Sequence, residues 1–114
     1  MTPKVYKVYA RRLSEYDKAF GEFVEVLCKD DRVIDVLLTG SRARGDALPY
    51  SDYDVIVVIP DNSDKLSLVE ELRRLRRRSF PLDLIAIHES ELRDPLYSEM
   101  LRNSMKLCNK KHTP

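Results

Sequence analysis

The sequence predicts an α/β domain in which a small sheet carries helices packed on one face. Short apolar runs at Val33 to Leu38, Asp54 to Ile59 and Leu82 to Ile87 have the length and composition of buried strands. Longer segments with helical spacing of apolar residues lie before, between and after those runs, and turn residues separate them. With 114 residues and 43% hydrophobic content, the chain, residues 1–114, is read as a single domain around one core.

The elements follow in order. Tyr9, Leu13, Tyr16, Phe20, Phe23, Val24 and Leu27 recur every three or four residues, which predicts a first helix of about five turns. The preceding KVYKVY fits either an extended segment or a helical start. The strand Val33 to Leu38 stops at Gly40, and the stretch from Gly45 to Ser51 is a loop tied off by Pro49. Asp54 to Ile59 is closed by Pro60 and the turn PDNSD. Leu66 to Arg78 reads as a second helix with Leu68, Leu72 and Leu75 inward, capped by Ser63 or Asp64. After Pro81 comes the third strand, then a short helical turn over 89–93. Asp94 caps a last helix with Pro95 in its first position and Leu96, Met100, Leu101, Met105 and Cys108 along it. The tail NKKHTP is expected to be loose.

Composition narrows the function classes. Lys+Arg at 20 against Asp+Glu at 19 leaves a net charge of +1, so no overall bias points to nucleic acid or membrane. No run approaches the ~18 apolar residues of a membrane span, and MTPKVYKVYARR lacks the apolar centre of a signal peptide. The protein is expected to be soluble and cytoplasmic. Cys28 and Cys108 show neither CxxC nor zinc spacing and are expected to be packed free thiols. Arg73, Arg74, Arg76, Arg77 and Arg78 read as a solvated helix end favoured by the helix dipole, with a patch for RNA or an acidic partner as the alternative. His88 and His112 have no partner at metal-ligand spacing and read as incidental.

The chemistry concentrates in LLTGSRARGDALPYSDYDVIVVI. Side chains alternate along a strand, so Asp52 and Asp54 share a face while Tyr53 points the other way. Two carboxylates so placed repel and raise a pKa unless a cation sits between them, and magnesium takes such oxygen ligands. Asp83 interrupts the apolar run PLDLIAI. Read as part of a central strand, it is either paired, with an arginine as the plain partner, or a ligand beside the other two. Upstream, Gly40 permits a tight turn, and Ser41 with the backbone N–H groups after it can face a phosphate. Of Arg42 and Arg44, one is expected toward the site and one away, with Arg42 the solvated neighbour.

GSRARGDALPYSDYDVIVV followed by PLDLI resembles the nucleotidyltransferase superfamily that includes DNA polymerase beta and kanamycin nucleotidyltransferase, and above all its minimal nucleotidyltransferases. The motifs span about residues 37 to 87. The resemblance implies a mixed sheet with helices packed against it. It implies that Gly40 and Ser41, joined by Arg44 and Ser51, bind the nucleotide. Asp52, Asp54 and Asp83 are then catalytic and hold two Mg2+ ions. It further implies transfer of AMP from ATP to a hydroxyl, most plausibly on a HEPN-domain toxin partner for which this chain is the antitoxin. Small-molecule and RNA acceptors stand as alternatives, as does a binding module that neutralises its partner without turnover. The apolar faces of the first and last helices are either used in the core or leave a surplus for a homo-oligomer or partner.

Overall fold

The three apolar runs all form strands, and they pair because each leaves one or both faces apolar. The computed structural model describes residues 4–48 and 50–108, with side chains from Glu15 onward. The helix α1 (Lys4–Lys29) leads into β1 (Asp35–Thr39) and a single short helix, α2 (Gly40–Arg44). Then come β2 (Tyr53–Ile59), α3 (Lys65–Arg73), β3 (Leu82–His88), a 3-10 turn (Glu89–Arg93), α4 (Pro95–Arg102) and β4 (Met105–Lys106). The four-stranded sheet has the order β3-β2-β1-β4. β1 runs antiparallel to both β2 and β4, while β2 and β3 are parallel, which requires the crossover that α3 supplies.

One face of the sheet presents Val36, Tyr53, Val55, Val57, Leu84 and Ala86 to Ala19, Phe23 and Leu27 of α1 and to Leu68 and Leu72 of α3. The other presents Leu37, Ile56, Val58 and Ile87 to Tyr97, Met100 and Leu101 of α4. Each fully buried Leu, Ile, Val or Phe contributes roughly 1.5–3 kcal/mol against exposure. Helices therefore lie on both faces, not on one as the pattern suggested, because α4 folds back over the second face.

Other expectations are corrected. The second helix stops at Arg73 instead of Arg78, and the Arg76 guanidinium leaves the helical path to bond the Phe80 carbonyl at 2.8 Å. The last helix ends at Arg102, where the Ser104 N–H and Oγ both donate to the Leu101 carbonyl and turn the chain. Met105 and Lys106 then pair with Leu38 and Leu37, making a fourth strand where a helix was expected. Leu107 continues the pairing, its N–H 2.9 Å from the Val36 carbonyl. This return brings Cys108 to the end of α1, where it forms a disulfide with Cys28, Cα–Cα 5.5 Å, so the two cysteines are not free thiols. β3 is an edge strand rather than a central one. Asp64 and Asp94 do cap their helices, each accepting from the N–H two residues on. Pro49 and the tail from residue 109 lie outside the described residues. Among the described residues no helix is long and apolar enough to cross a membrane.

Candidate active site

The antiparallel register sets Thr39, the last residue of β1, opposite Asp54, and the parallel register sets Asp54 beside Asp83. The Gly40 turn and both strand aspartates thus meet at one end of the sheet. Asp52 lies just ahead of β2, two residues before Asp54. Tyr53 between them fixes which way Asp54 points. Its ring is buried, stacked on Phe20 at 4.6 Å and edge-on to Phe80 at 5.4 Å, and its hydroxyl donates to the Asp17 carboxylate. Burial, and then the bond to Asp17, push the phenol up to about 12. With Tyr53 locked into the core, alternation turns Asp54 to the opposite face.

Gly40 is required twice over. Its φ is +73°, a region disfavoured for residues with a side chain, and a Cβ there would lie 2.1 Å from Oδ2 of Asp54. The carboxylate of Asp54 therefore rests against the backbone of the turn. Thr39 spends its hydroxyl on the Met100 carbonyl at 3.3 Å and makes no side-chain cap, so the first N–H groups of α2 have no side-chain acceptor there. Ser41 sits half-buried in that first turn. Gly45 closes α2 in the left-handed region, its N–H bonded to the Ser41 carbonyl.

Asp54 is half-buried, while Asp52 and Asp83 are exposed. Burial raises the carboxyl of Asp54 above the usual aspartate range, the charges of Asp83 and then Asp52 raise it further, and Arg42 and Arg44 partly offset this. Asp83 makes no ion pair with a lysine or arginine among the described residues, so the arginine partner allowed by the sequence is not found. Its tolerance in an apolar strand comes from its exposed place on the sheet edge. Ser51 closes the loop before β2, its Oγ accepting from the Leu48 N–H at 2.9 Å. Arg44 is exposed and paired with Asp46 at 3.3 Å. Arg42 is the residue that sequence reasoning placed wrongly: its guanidinium packs 3.7 Å over the Tyr53 ring and donates to the Ser51 carbonyl from Nε at 3.2 Å and Nη2 at 2.9 Å. His88 is also engaged, with Nε2 2.8 Å from the Ser63 carbonyl and Nδ1 3.2 Å from Glu91.

Asp54 and Asp83, side by side in register with Asp52 close in sequence, are oxygen donors of the kind that suits a hard divalent cation. Among the described residues, no three carboxylate, histidine or cysteine side chains already stand together as an ion-holding group. Clefts of about 510 and 520 Å3 lie between α1 and the segment after α3 and beside the 3-10 turn, and neither is lined by Asp52, Asp54 or Asp83.

The profile of the nucleotidyltransferase domain matches residues 21–108, which takes in α2, the D-Y-D segment and Asp83. The chain belongs to the nucleotidyltransferase family. This nucleotidyltransferase is similar in fold to the crystal structure of a candidate nucleotidyltransferase from Sulfolobus solfataricus, with a TM-score of 0.62 and 22% identity over 86% of this chain and 84% of that one. No curated protein sequence matches it. Nucleotidyl transfer from a nucleoside triphosphate is what the family implies, and the family generally works with divalent metal ions.

Proposed function

We propose that this nucleotidyltransferase transfers AMP from ATP to a hydroxyl on a HEPN-domain partner in the cytoplasm, silencing that partner as an antitoxin. The observation that carries the site is the contact between Gly40 and the Asp54 carboxylate, with Asp83 next to Asp54 in register: phosphate turn and carboxylates form one surface. Gly40 and Ser41 receive the triphosphate on the backbone N–H groups of α2, and Arg44 and Ser51 lie near enough in the chain to add contacts. Asp52, Asp54 and Asp83 hold two Mg2+ ions. The raised carboxyl of Asp54, beside two like charges, supports a cation there.

Bound magnesium supplies positive charge for the attacking and leaving oxygens. The chain's own residues do the rest. Gly40 and Ser41 hold the β- and γ-phosphates so that the α-phosphorus faces the carboxylates. Asp83, exposed on the edge strand, is open to an incoming acceptor and takes the proton of its hydroxyl. The acceptor oxygen bonds the α-phosphorus, the bond to the bridging oxygen breaks, and pyrophosphate leaves.

The test is transfer of label from α-labelled ATP, with Mg2+, to a HEPN-domain protein encoded beside this chain. Label on the partner that disappears with Asp52→Asn/Asp54→Asn supports the proposal. Label on RNA or a small molecule instead would move the acceptor. Tight complex formation without transfer from any of the four nucleotides would replace the enzyme with a binding module.

A further inference from the structure

Arg42 is half-buried, and its surroundings are more specific than packing requires. It sits two residues after Gly40 on α2, yet its side chain reaches the entrance of β2. There Nε and Nη2 both donate to the carbonyl of Ser51, at 3.2 and 2.9 Å, and the guanidinium plane lies 3.7 Å over the ring of Tyr53. Ser51 precedes Asp52, and Tyr53 separates Asp52 from Asp54. One side chain therefore grips the residues on both sides of Asp52. The grip is anchored behind, since Tyr53 is itself held by stacking on Phe20 and by its bond to Asp17 of α1.

We propose that Arg42 is a positioning residue for nucleotidyl transfer, clamping the entrance of β2 to the phosphate turn so that Asp52 and Asp54 stand at a fixed distance from Gly40 and Ser41. This rests on the nucleotidyl-transfer reading above. The phosphate side of the site hangs from α2 and the carboxylate side from β2. The described residues between them, 45–48 and 50–52, belong to no helix or strand. The antiparallel pairing of β1 with β2 ends at Thr39 and Asp54 and does not extend to Asp52. The planar fork of arginine matters here: a lysine keeps the positive charge near Asp54 but cannot stack on the ring while donating twice to one carbonyl. Both guanidinium nitrogens that grip Ser51 are engaged with protein, which sets this role apart from a direct phosphate contact.

The experiment compares wild type, Arg42→Ala and Arg42→Lys in the label-transfer assay. Mn2+ binding is followed separately by electron paramagnetic resonance of the free ion, and folding by circular dichroism. Displacement of reacting groups by about 1 Å costs on the order of 100-fold in rate. The expected result is a fall of that order in kcat for Arg42→Ala and a weaker Mn2+ affinity. The nucleotide KM at saturating metal should stay within about threefold of wild type on the same argument, since the phosphate turn is untouched. Arg42→Lys should resemble Arg42→Ala. If Arg42→Ala does not fold, Arg42→Lys carries the comparison. Rescue by lysine with a raised nucleotide KM in the alanine variant would overturn the proposal in favour of direct phosphate binding. A lowered melting temperature with unchanged kcat and Mn2+ affinity would overturn it in favour of plain packing. Absence of transfer by wild type itself would overturn the nucleotidyl-transfer reading and this one together, whereas transfer by wild type with kcat unchanged in Arg42→Ala would overturn this one alone.

Discussion

Asp54 stands half-buried against the backbone of Gly40, with Asp83 beside it and Asp52 two residues before, and this crowding has a thermodynamic consequence. Burial, then the neighbouring charges, raise its carboxyl above the ordinary range, so folding of the metal-free protein disfavours the charged form. A carboxyl whose folded pKa is raised contributes stability that is present below the unfolded value and lost as pH rises through the folded one. At neutral pH the ionised Asp54 therefore opposes folding. Asp54→Asn should raise the stability of the metal-free protein at pH 7 by about 0.5–2 kcal/mol. The advantage should shrink as pH falls and vanish below about pH 4, where aspartate protonates even when unfolded. Thermal melts of the two proteins across pH check this, and an Asn variant less stable at pH 7 would contradict it. That Gly40, Asp54 and Asp83 would come together was legible in the sequence because alternation and spacing are local properties. Arg42 was not, because its role depends on where the Tyr53 ring and the Ser51 carbonyl come to rest, and no local pattern encodes that. Asp83 was noticed for a reason that proved different: the expected cost of a central-strand charge does not apply to an exposed edge.

At the scale of elements, strands and caps were readable wherever one signal dominated. Asp64 and Asp94 precede helices and accept from their first N–H groups, and the apolar runs form strands shifted by only a residue or two. The chain end was misread because Met100, Met105 and Cys108 mimic helical spacing, whereas β4 is a two-residue strand too short to show an alternation. What holds that strand is tertiary: pairing with Leu37 and Leu38, the Lys106–Asp35 ion pair at 3.5 Å, and the disulfide of Cys28 with Cys108. The ion pair is exposed on the lysine side and contributes little. The disulfide closes a loop over a sequence separation of 80. Links of this kind stabilise by about 2–4 kcal/mol, chiefly by restricting the unfolded chain. Replacing both cysteines by serine, or adding a strong reductant, should lower the unfolding midpoint accordingly, and amide exchange should speed up first at Met105 to Leu107. An unchanged midpoint under reducing conditions would show that the bridge is not formed in solution.

For the whole molecule, the order β3-β2-β1-β4 is what brings the separate motifs together, because it places β2 between the strand that ends at the Gly40 turn and the strand that carries Asp83. The family match over residues 21–108 and the shared fold of the Sulfolobus solfataricus protein agree with that layout. Two of the arginines after α3 are engaged within the chain, Arg76 on the Phe80 carbonyl and Arg78 on Glu22. The central claim is that Gly40, Ser41, Asp52, Asp54 and Asp83 make one metal-and-nucleotide site. Its most direct test is a crystal structure with Mn2+ and an ATP analogue that cannot be cleaved between the α- and β-phosphates, read by anomalous scattering. The expected result is Mn2+ peaks ligated by Asp52, Asp54 and Asp83, with the phosphates on the N–H groups of Gly40 and Ser41. Nucleotide bound in another cleft, or at the turn with no metal at these carboxylates, would contradict it.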